Sequence, residues 1–187
     1  SPAWLRYLLQ ATGQRSIDLL VDLTNFVMLD LGQPMHAFDL SFLDPGGIDV
    51  RRARPGEELT TLDGEEQKLS GEDIVVASGD RAVSLAGIKG GQGSAVQKST
   101  DTLFVEVANW RPGAIRATST RLALRTDASA RFEKALDPSL CELAQRRFLH
   151  LVQSECPTAK AAGPLVDPSA WQYDPVRVKL RSQRLEA

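Results

Sequence analysis

The sequence predicts an α+β fold, a layered sheet core with helices packed at both chain ends. Helical spacing of apolar residues is confined to the stretch before Gly32 and the stretch after Pro112. Between them, residues 48–107 break into short alternating or β-branched runs separated by turn signals. Strands and helices do not alternate regularly, as a parallel α/β sheet would require.

Taken in order, Ser1-Pro2 places an N-cap before a proline at the first helical position, and Leu5, Leu8 and Leu9 carry that helix towards Gly13. Residues 17–21 fit strand or loop. The apolar tract beyond them reads as a helix capped near Asp22 and ended by Gly32. Gln33-Pro34-Met35-His36-Ala37-Phe38-Asp39 reads as a loop. Residues 48–52 and 58–62 are short strands, with Asp63-Gly64 a hairpin turn and 67–69 its return. Residues 74–77 and 82–85 flank a turn at Ser78-Gly79-Asp80, a glycine-rich loop covers 87–93, and 102–107 alternates like a strand. Pro112 opens a helical segment with Ile115, Ala117, Leu122 and Leu124. Asp137-Pro138 starts a helix whose stripe is Leu140, Leu143, Ala144, Phe148, Leu151 and Val152. A proline-rich stretch then leads to a strand-like run at 176–180.

The 187 residues are 42% hydrophobic and 25% charged, ordinary globular usage and enough to bury a core. A net charge of −2 does not suit a module that grips nucleic acid unaided, because phosphate contacts dominate such affinity. Any RNA partner is therefore held mainly by other parts. Cys141 and Cys156 are too few for a disulfide framework and lack metal-ligand spacing, which fits a reducing compartment with Cys141 a small apolar helix residue. No apolar run reaches the ~20 residues of a membrane span, and the N-terminus is no signal peptide. The chain reads as soluble and cytoplasmic, with no membrane partner.

Candidate chemistry is sparse. His36 suits a hydrogen-bonded structural role or a functional one, whereas His150, in the last turns of a helix, suits the dipole there. The 87–93 loop is not a phosphate-binding loop, since Lys89 precedes the glycine pair; it is a turn or a close approach of backbone to a ligand. Glu106 falls inside the apolar run Leu103-Phe104-Val105-Glu106-Val107-Ala108. Alternation puts it on one face with Phe104 and Ala108, where a carboxylate is costly unless paired or used; the other reading is an exposed face. Arg125-Thr126-Asp127-Ala128-Ser129 reads as a capping or turn segment. No nucleophile–base order and no metal-ligand cluster is visible.

These residues also carry a family resemblance. Val21-Asp22-Leu23-Thr24-Asn25-Phe26-Val27, running into Gly32-Gln33-Pro34-Met35-His36-Ala37-Phe38-Asp39, is similar to a signature of bacterial phenylalanyl-tRNA synthetase beta subunits. Leu85-Ala86-Gly87-Ile88-Lys89-Gly90-Gly91 resembles that family's alanine-glycine loop, and residues 124–133, ending in Asp137-Pro138, resemble a third block. The three come in the family's order. Lys89 departs from it by replacing an apolar residue, Ala135-Leu136 stands where Gly-Val is common, and Trp110 stands where other aromatics are typical.

The resemblance implies the editing domain of the subunit: its third and fourth modules, intertwined over residues 1–166 as a sheet/sheet/helix three-layer sandwich. Residues 167–187 would be a linker and the truncated start of the next module. The implied reaction is post-transfer editing, hydrolysis of tyrosine mischarged onto the phenylalanine tRNA. Tyrosine is phenylalanine plus a hydroxyl, which a hydrophobic pocket rejects only about a hundredfold. A second pocket that hydrogen-bonds the hydroxyl reverses the advantage, because phenylalanine leaves a buried polar group unpaired at roughly 1–3 kcal/mol. By resemblance, Glu106 and a backbone N–H near Gly90 hold the phenol, with Thr126 and Ala128 lining the same pocket. His36 and Asn25, with Thr24, lie towards the ester and the terminal adenosine. Whether His36 deprotonates or positions the water, or a ribose hydroxyl assists, stays open. No cofactor is implied in this domain; ATP and magnesium belong to the synthetic site on the alpha subunit. The implied partners are the acceptor end of the phenylalanine tRNA, and the alpha subunit and remaining beta modules in an α2β2 heterotetramer. Two other readings are a free-standing trans-editing deacylase and a non-catalytic tRNA-binding or structural module.

Overall fold

Asp18 starts the first long helix: its carboxylate accepts from the Leu20 and Val21 amides, and α2 (Leu19–Leu31) runs from there to Gly32, whose φ of 78° closes it in the left-handed conformation. The computed structural model, which describes residues 1–168, 172, 174 and 177–179, thus moves the cap from the expected Asp22 to Asp18. Asp22 is fully buried instead, accepting from Ser1 Oγ and Ser16 Oγ at 2.5 Å each and from the Ile17 N–H at 2.8 Å. Ser1 is therefore not the cap of the first helix; Pro2 takes that position ahead of α1 (Ala3–Ala11).

Helices α1 and α2 pack with α5 (Leu140–Glu155), and Leu5, Leu9, Leu23, Val27, Ala144, Phe148 and Leu151 form their common core. Helix α5 begins after a turn at Pro138 and Ser139, later than the sequence predicts. Leu143, expected in its buried stripe, is half exposed.

The central region supplies eight strands: β1 (His36–Asp39), β2 (Asp49–Arg52), β3 (Glu58–Thr60), β4 (Glu66–Lys68), β5 (Ile74–Ser78), β6 (Arg81–Leu85), β7 (Lys89–Gly90) and β8 (Leu103–Glu106). They form an antiparallel sheet in the order β2-β5-β6-β7, a β3-β4 hairpin and a β1-β8 ribbon. A bridge between Thr61 and Gly91 ties the hairpin to the four-stranded sheet. Two expectations are corrected here. Residues 36–39, expected as loop, are a strand because β8 gives them a partner. The 87–93 loop contains strand β7 and a 3-10 turn (Gln92–Ser94), with β7 completed by β6.

The β1-β8 ribbon lies between two cores. Leu103, Val105 and Val107 pack on the helical core. Phe38, Phe104 and Ala108 pack on the other, which holds Val75, Val76, Val83 and Leu85 of the sheet. Helices α3 (Pro112–Arg121) and α4 (Asp127–Phe132) close this second core with Ile115 and Phe132. The result is the layered α+β fold that the sequence predicts. The strand expected at 176–180 has both its ends outside the described residues. Among the described residues, no helix is long and apolar enough to cross a membrane.

Candidate functional site

The ribbon fixes the geometry of the site. His36 pairs with Glu106 and Phe38 with Phe104. Partners directly opposite in an antiparallel pair share a face, and so do residues two apart along a strand. All four side chains therefore leave the ribbon on the side of the sheet core. There His36 and Glu106 meet a pocket of about 70 Å³ that also brings together Gly90, Ala128, Trp110 and Phe132.

His36 is held from two directions. Its ring meets the Phe38 ring edge-on, centroids 4.4 Å apart. A Cβ at position 90 would lie 2.4 Å from His36 Cε1 and 2.7 Å from Nε2, so only glycine lets β7 approach this closely. The His36 residue as a whole is partly exposed, but Nε2 is enclosed and has no hydrogen-bond partner. Burial pushes the imidazole down to about 4, so it is neutral at neutral pH.

Glu106 responds to the same dry surroundings in the opposite sense. Burial pushes its carboxyl up to about 7. An ion pair between these two residues would have raised the histidine and lowered the glutamate. The two directions are those of groups governed by desolvation, not by pairing with each other.

The strand carrying Gly90 is fastened on both edges. The Gly91 N–H donates to Val83 O at 2.8 Å, and Gly90 O accepts from the Leu62 N–H at 3.0 Å. Thr126 acts from behind this segment. Its Oγ1 accepts from the Ser129 N–H at 3.1 Å, capping α4, and donates to Ile88 O at 2.9 Å. It thereby fixes α4, and with it Ala128, to the turn before Gly90, without itself being among the pocket-lining residues. Thr24 is buried on α2 with its hydroxyl donated to Val21 O at 2.7 Å, and Asn25 is partly buried on the same helix. Neither is among the residues lining the pocket.

Several lining residues escaped the sequence reading as site residues: Pro34, Met35, Ser84 and Ile88. Ser84 carried a signal, a polar residue in the otherwise apolar run 82–85. Lys89 also lines the pocket, and its Nζ is held 2.5 Å from Asp63 Oδ2 on the hairpin turn. That hydrogen bond, with a second from Thr61, holds the Asp63 carboxyl down at about 2.

A larger recess of about 340 Å³ lies at the far end of the ribbon, lined in part by Asp39, Ser41 and Asp101. The Asp39 carboxylate there is satisfied by Ser41 and by Thr100 Oγ1, and those bonds hold its pKa low, so it offers no unpaired group. Among the described residues, no cluster of three or more His, Cys, Asp or Glu could hold a metal ion.

The chain matches the family model described as the B3/4 domain over residues 1–157. It is similar to proteins named phenylalanine–tRNA ligase beta subunit in several bacteria. The relative in Nitratidesulfovibrio vulgaris is 45% identical over 176 residues, covering 94% of this chain and 21% of that protein. That in Moorella thermoacetica is 42% identical over 185 residues, covering 99% of this chain and 23% of that protein. That in Pectobacterium atrosepticum is 43% identical over 188 residues, covering the whole chain and 23% of that protein. The chain thus spans about a fifth of the length of the relatives it matches.

Proposed function

The chain belongs to the B3/4 domain family, and on that premise we propose that it is the editing module of a phenylalanine–tRNA ligase beta subunit, hydrolysing tyrosine mischarged onto the phenylalanine tRNA. The observation that carries this reading is the placement of Glu106, a desolvated carboxyl at the wall of an otherwise largely apolar pocket that also holds His36, Gly90 and Ala128. A phenol hydroxyl entering the pocket gives Glu106 a partner. A phenylalanine ring leaves it buried and unpaired, a loss of roughly 1–3 kcal/mol.

Small Ala128 leaves room on one side of the ring. The pocket is nevertheless tight: an apolar cavity that holds benzene measures about 150 Å³, against about 70 Å³ here. Substrate entry therefore spreads the lining.

His36 serves this reaction as a neutral hydrogen-bonding group. A base with a pKa near 4 accepts a proton poorly at neutral pH. That favours positioning of the attacking water, or of a ribose hydroxyl that assists it, over proton abstraction. Asn25 and Thr24, on the neighbouring helix, belong on this reading to the side facing the terminal adenosine.

In this reading residues 1–166 are the module and 167–187 lead towards the next one. The partners are the acceptor end of the phenylalanine tRNA, the alpha subunit and the remaining beta modules in an α2β2 heterotetramer in the cytoplasm. ATP and magnesium serve the synthetic site elsewhere in that assembly, while the hydrolysis draws on no cofactor in this module.

The test is deacylation of tyrosyl-tRNA for phenylalanine by the intact ligase. Glu106→Ala should erase the preference for the tyrosyl ester over the phenylalanyl ester, and Ala128→Trp should block the pocket, with aminoacylation unchanged in both. Undiminished tyrosine clearance in both variants would remove the pocket from consideration.

A further inference from the structure

Gln33 lies at the end of the ribbon next to the pocket, and it is fully buried. The bond from the Leu40 N–H to Thr102 O sets the phase of the β1-β8 ladder. Hydrogen-bonded pairs then recur at Phe38–Phe104 and His36–Glu106, and the next rung is Pro34 opposite Ala108. The main chain cannot complete that rung. Pro34 has no N–H, which leaves the Ala108 carbonyl without its cross-strand donor.

The Gln33 side chain fills the gap. Its Nε2 donates to Ala108 O at 2.9 Å and to Pro34 O at 2.9 Å, the two carbonyls of the incomplete rung. Two carbonyl acceptors can be met only by the NH2 end of an amide, so the orientation of the side chain is fixed by its partners. Oε1 is left buried with no partner, a sacrifice that an apolar residue of the same size would not make.

We propose that Gln33 is a positioning residue for the pocket: its carboxamide replaces the main-chain donor missing at Pro34 and thereby holds His36 opposite Glu106. The geometric claim stands on the ladder alone. Its consequence for hydrolysis rests on the editing reading.

The two claims are tested separately. His36 and His150 are the only histidines, so NMR titration of the full 187-residue chain reads one in the pocket and one exposed on α5. In Gln33→Met the open rung admits water, and the His36 midpoint should rise from about 4 by about one pH unit or more, with His150 unmoved. Adding Pro34→Ala returns a backbone N–H to the rung, and the double variant should recover much of the wild-type midpoint. An unmoved His36 in folded Gln33→Met overturns the proposal. If that variant does not fold, the double variant decides: recovery of fold and midpoint supports the stand-in role, and equal damage overturns it. In the intact ligase, Gln33→Met should lower kcat for tyrosyl-ester hydrolysis about tenfold, with KM and aminoacylation little changed. A wild-type ligase that fails to hydrolyse the ester would count against the editing reading, leaving the titration to judge Gln33.

Discussion

Gly90 and His36 are in contact across two strands that do not pair with each other: a Cβ at position 90 would sit 2.4 Å from His36 Cε1. The Nε2 edge of the imidazole, which faces Gly90, is enclosed, so the ring makes room there only by leaving its place. Gly90→Ala should therefore expel His36 from its place and leave the rest of the fold standing, at a stability cost of about 1–3 kcal/mol. The expected loss of tyrosyl-ester hydrolysis is on the order of a hundredfold, as for other small misplacements of reacting groups. Single-turnover deacylation checks it, and an alanine variant with wild-type kcat would show that the contact is slack.

Burial drives His36 and Glu106 in opposite pH directions, and the two effects mask each other. The folded pKa of Glu106, about 7, lies above the ordinary 4.5. The native state holds that proton more tightly, so this group's contribution falls as pH rises from 4.5 to 7. The folded pKa of His36, about 4, lies below the ordinary 6.5. Its contribution is present above 6.5 and is lost as pH falls towards 4. Between pH 4.5 and 6.5 the slopes, each about 1.4 kcal/mol per unit at most, oppose one another. Glu106→Gln should therefore gain stability relative to wild type as pH rises through this window, and His36→Gln should lose it. Urea midpoints at four pH values decide, and differences that do not vary with pH would show that neither group is desolvated.

Thr126 carries two bonds through one hydroxyl, to Ser129 and to Ile88. Thr126→Val removes both, which should cost about 1–2 kcal/mol and loosen Ala128 against the Gly90 strand. Thr126→Ser keeps the hydroxyl and should restore most of the loss. Equal stability of the valine and serine variants in chemical denaturation would contradict the double role.

Ala135 has a φ of 63°, in the left-handed region where an L side chain costs roughly 1–2 kcal/mol. The family resembled by the sequence commonly carries glycine at this place, and the backbone angle supplies the reason. Ala135→Gly should stabilise the protein by about 0.5–1 kcal/mol once the greater freedom of glycine in the unfolded chain is subtracted. Equilibrium unfolding measures it, and a destabilised glycine variant would mean that the angle carries no strain.

Glu106 was legible in the sequence because a carboxylate interrupted an apolar strand, and alternation placed it on the face of Phe104 and Ala108, both of which pack on the second core. His36 was legible as a residue but not as part of a strand. Four residues after a proline are too few for periodicity, and β1 exists only because β8 pairs with it from far along the chain. Asp22 misled for a related reason: an acid at a helix start looks like a cap, and only the structure shows its oxygens taken by Ser1, Ser16 and the Ile17 amide. Gln33 stood inside the signature run 32–39, but nothing in the sequence pointed to a role for it. Its importance comes from the proline beside it and from Ala108 opposite, a relation that appears only when the ladder is built.

The two-faced ribbon constrains how this chain can change in length. A slip of one residue by either strand turns that strand's faces over, sending His36 or Glu106 towards the helical core and its neighbours on the strand towards the pocket. A slip of two keeps the faces but parts His36 from Glu106. Insertions at the exposed turns around Gly47 or Gly64 disturb neither relation. Length variation among descendants of this sequence should therefore collect at those turns and spare residues 33–39 and 103–108, where a single added or missing codon undoes both cores at once.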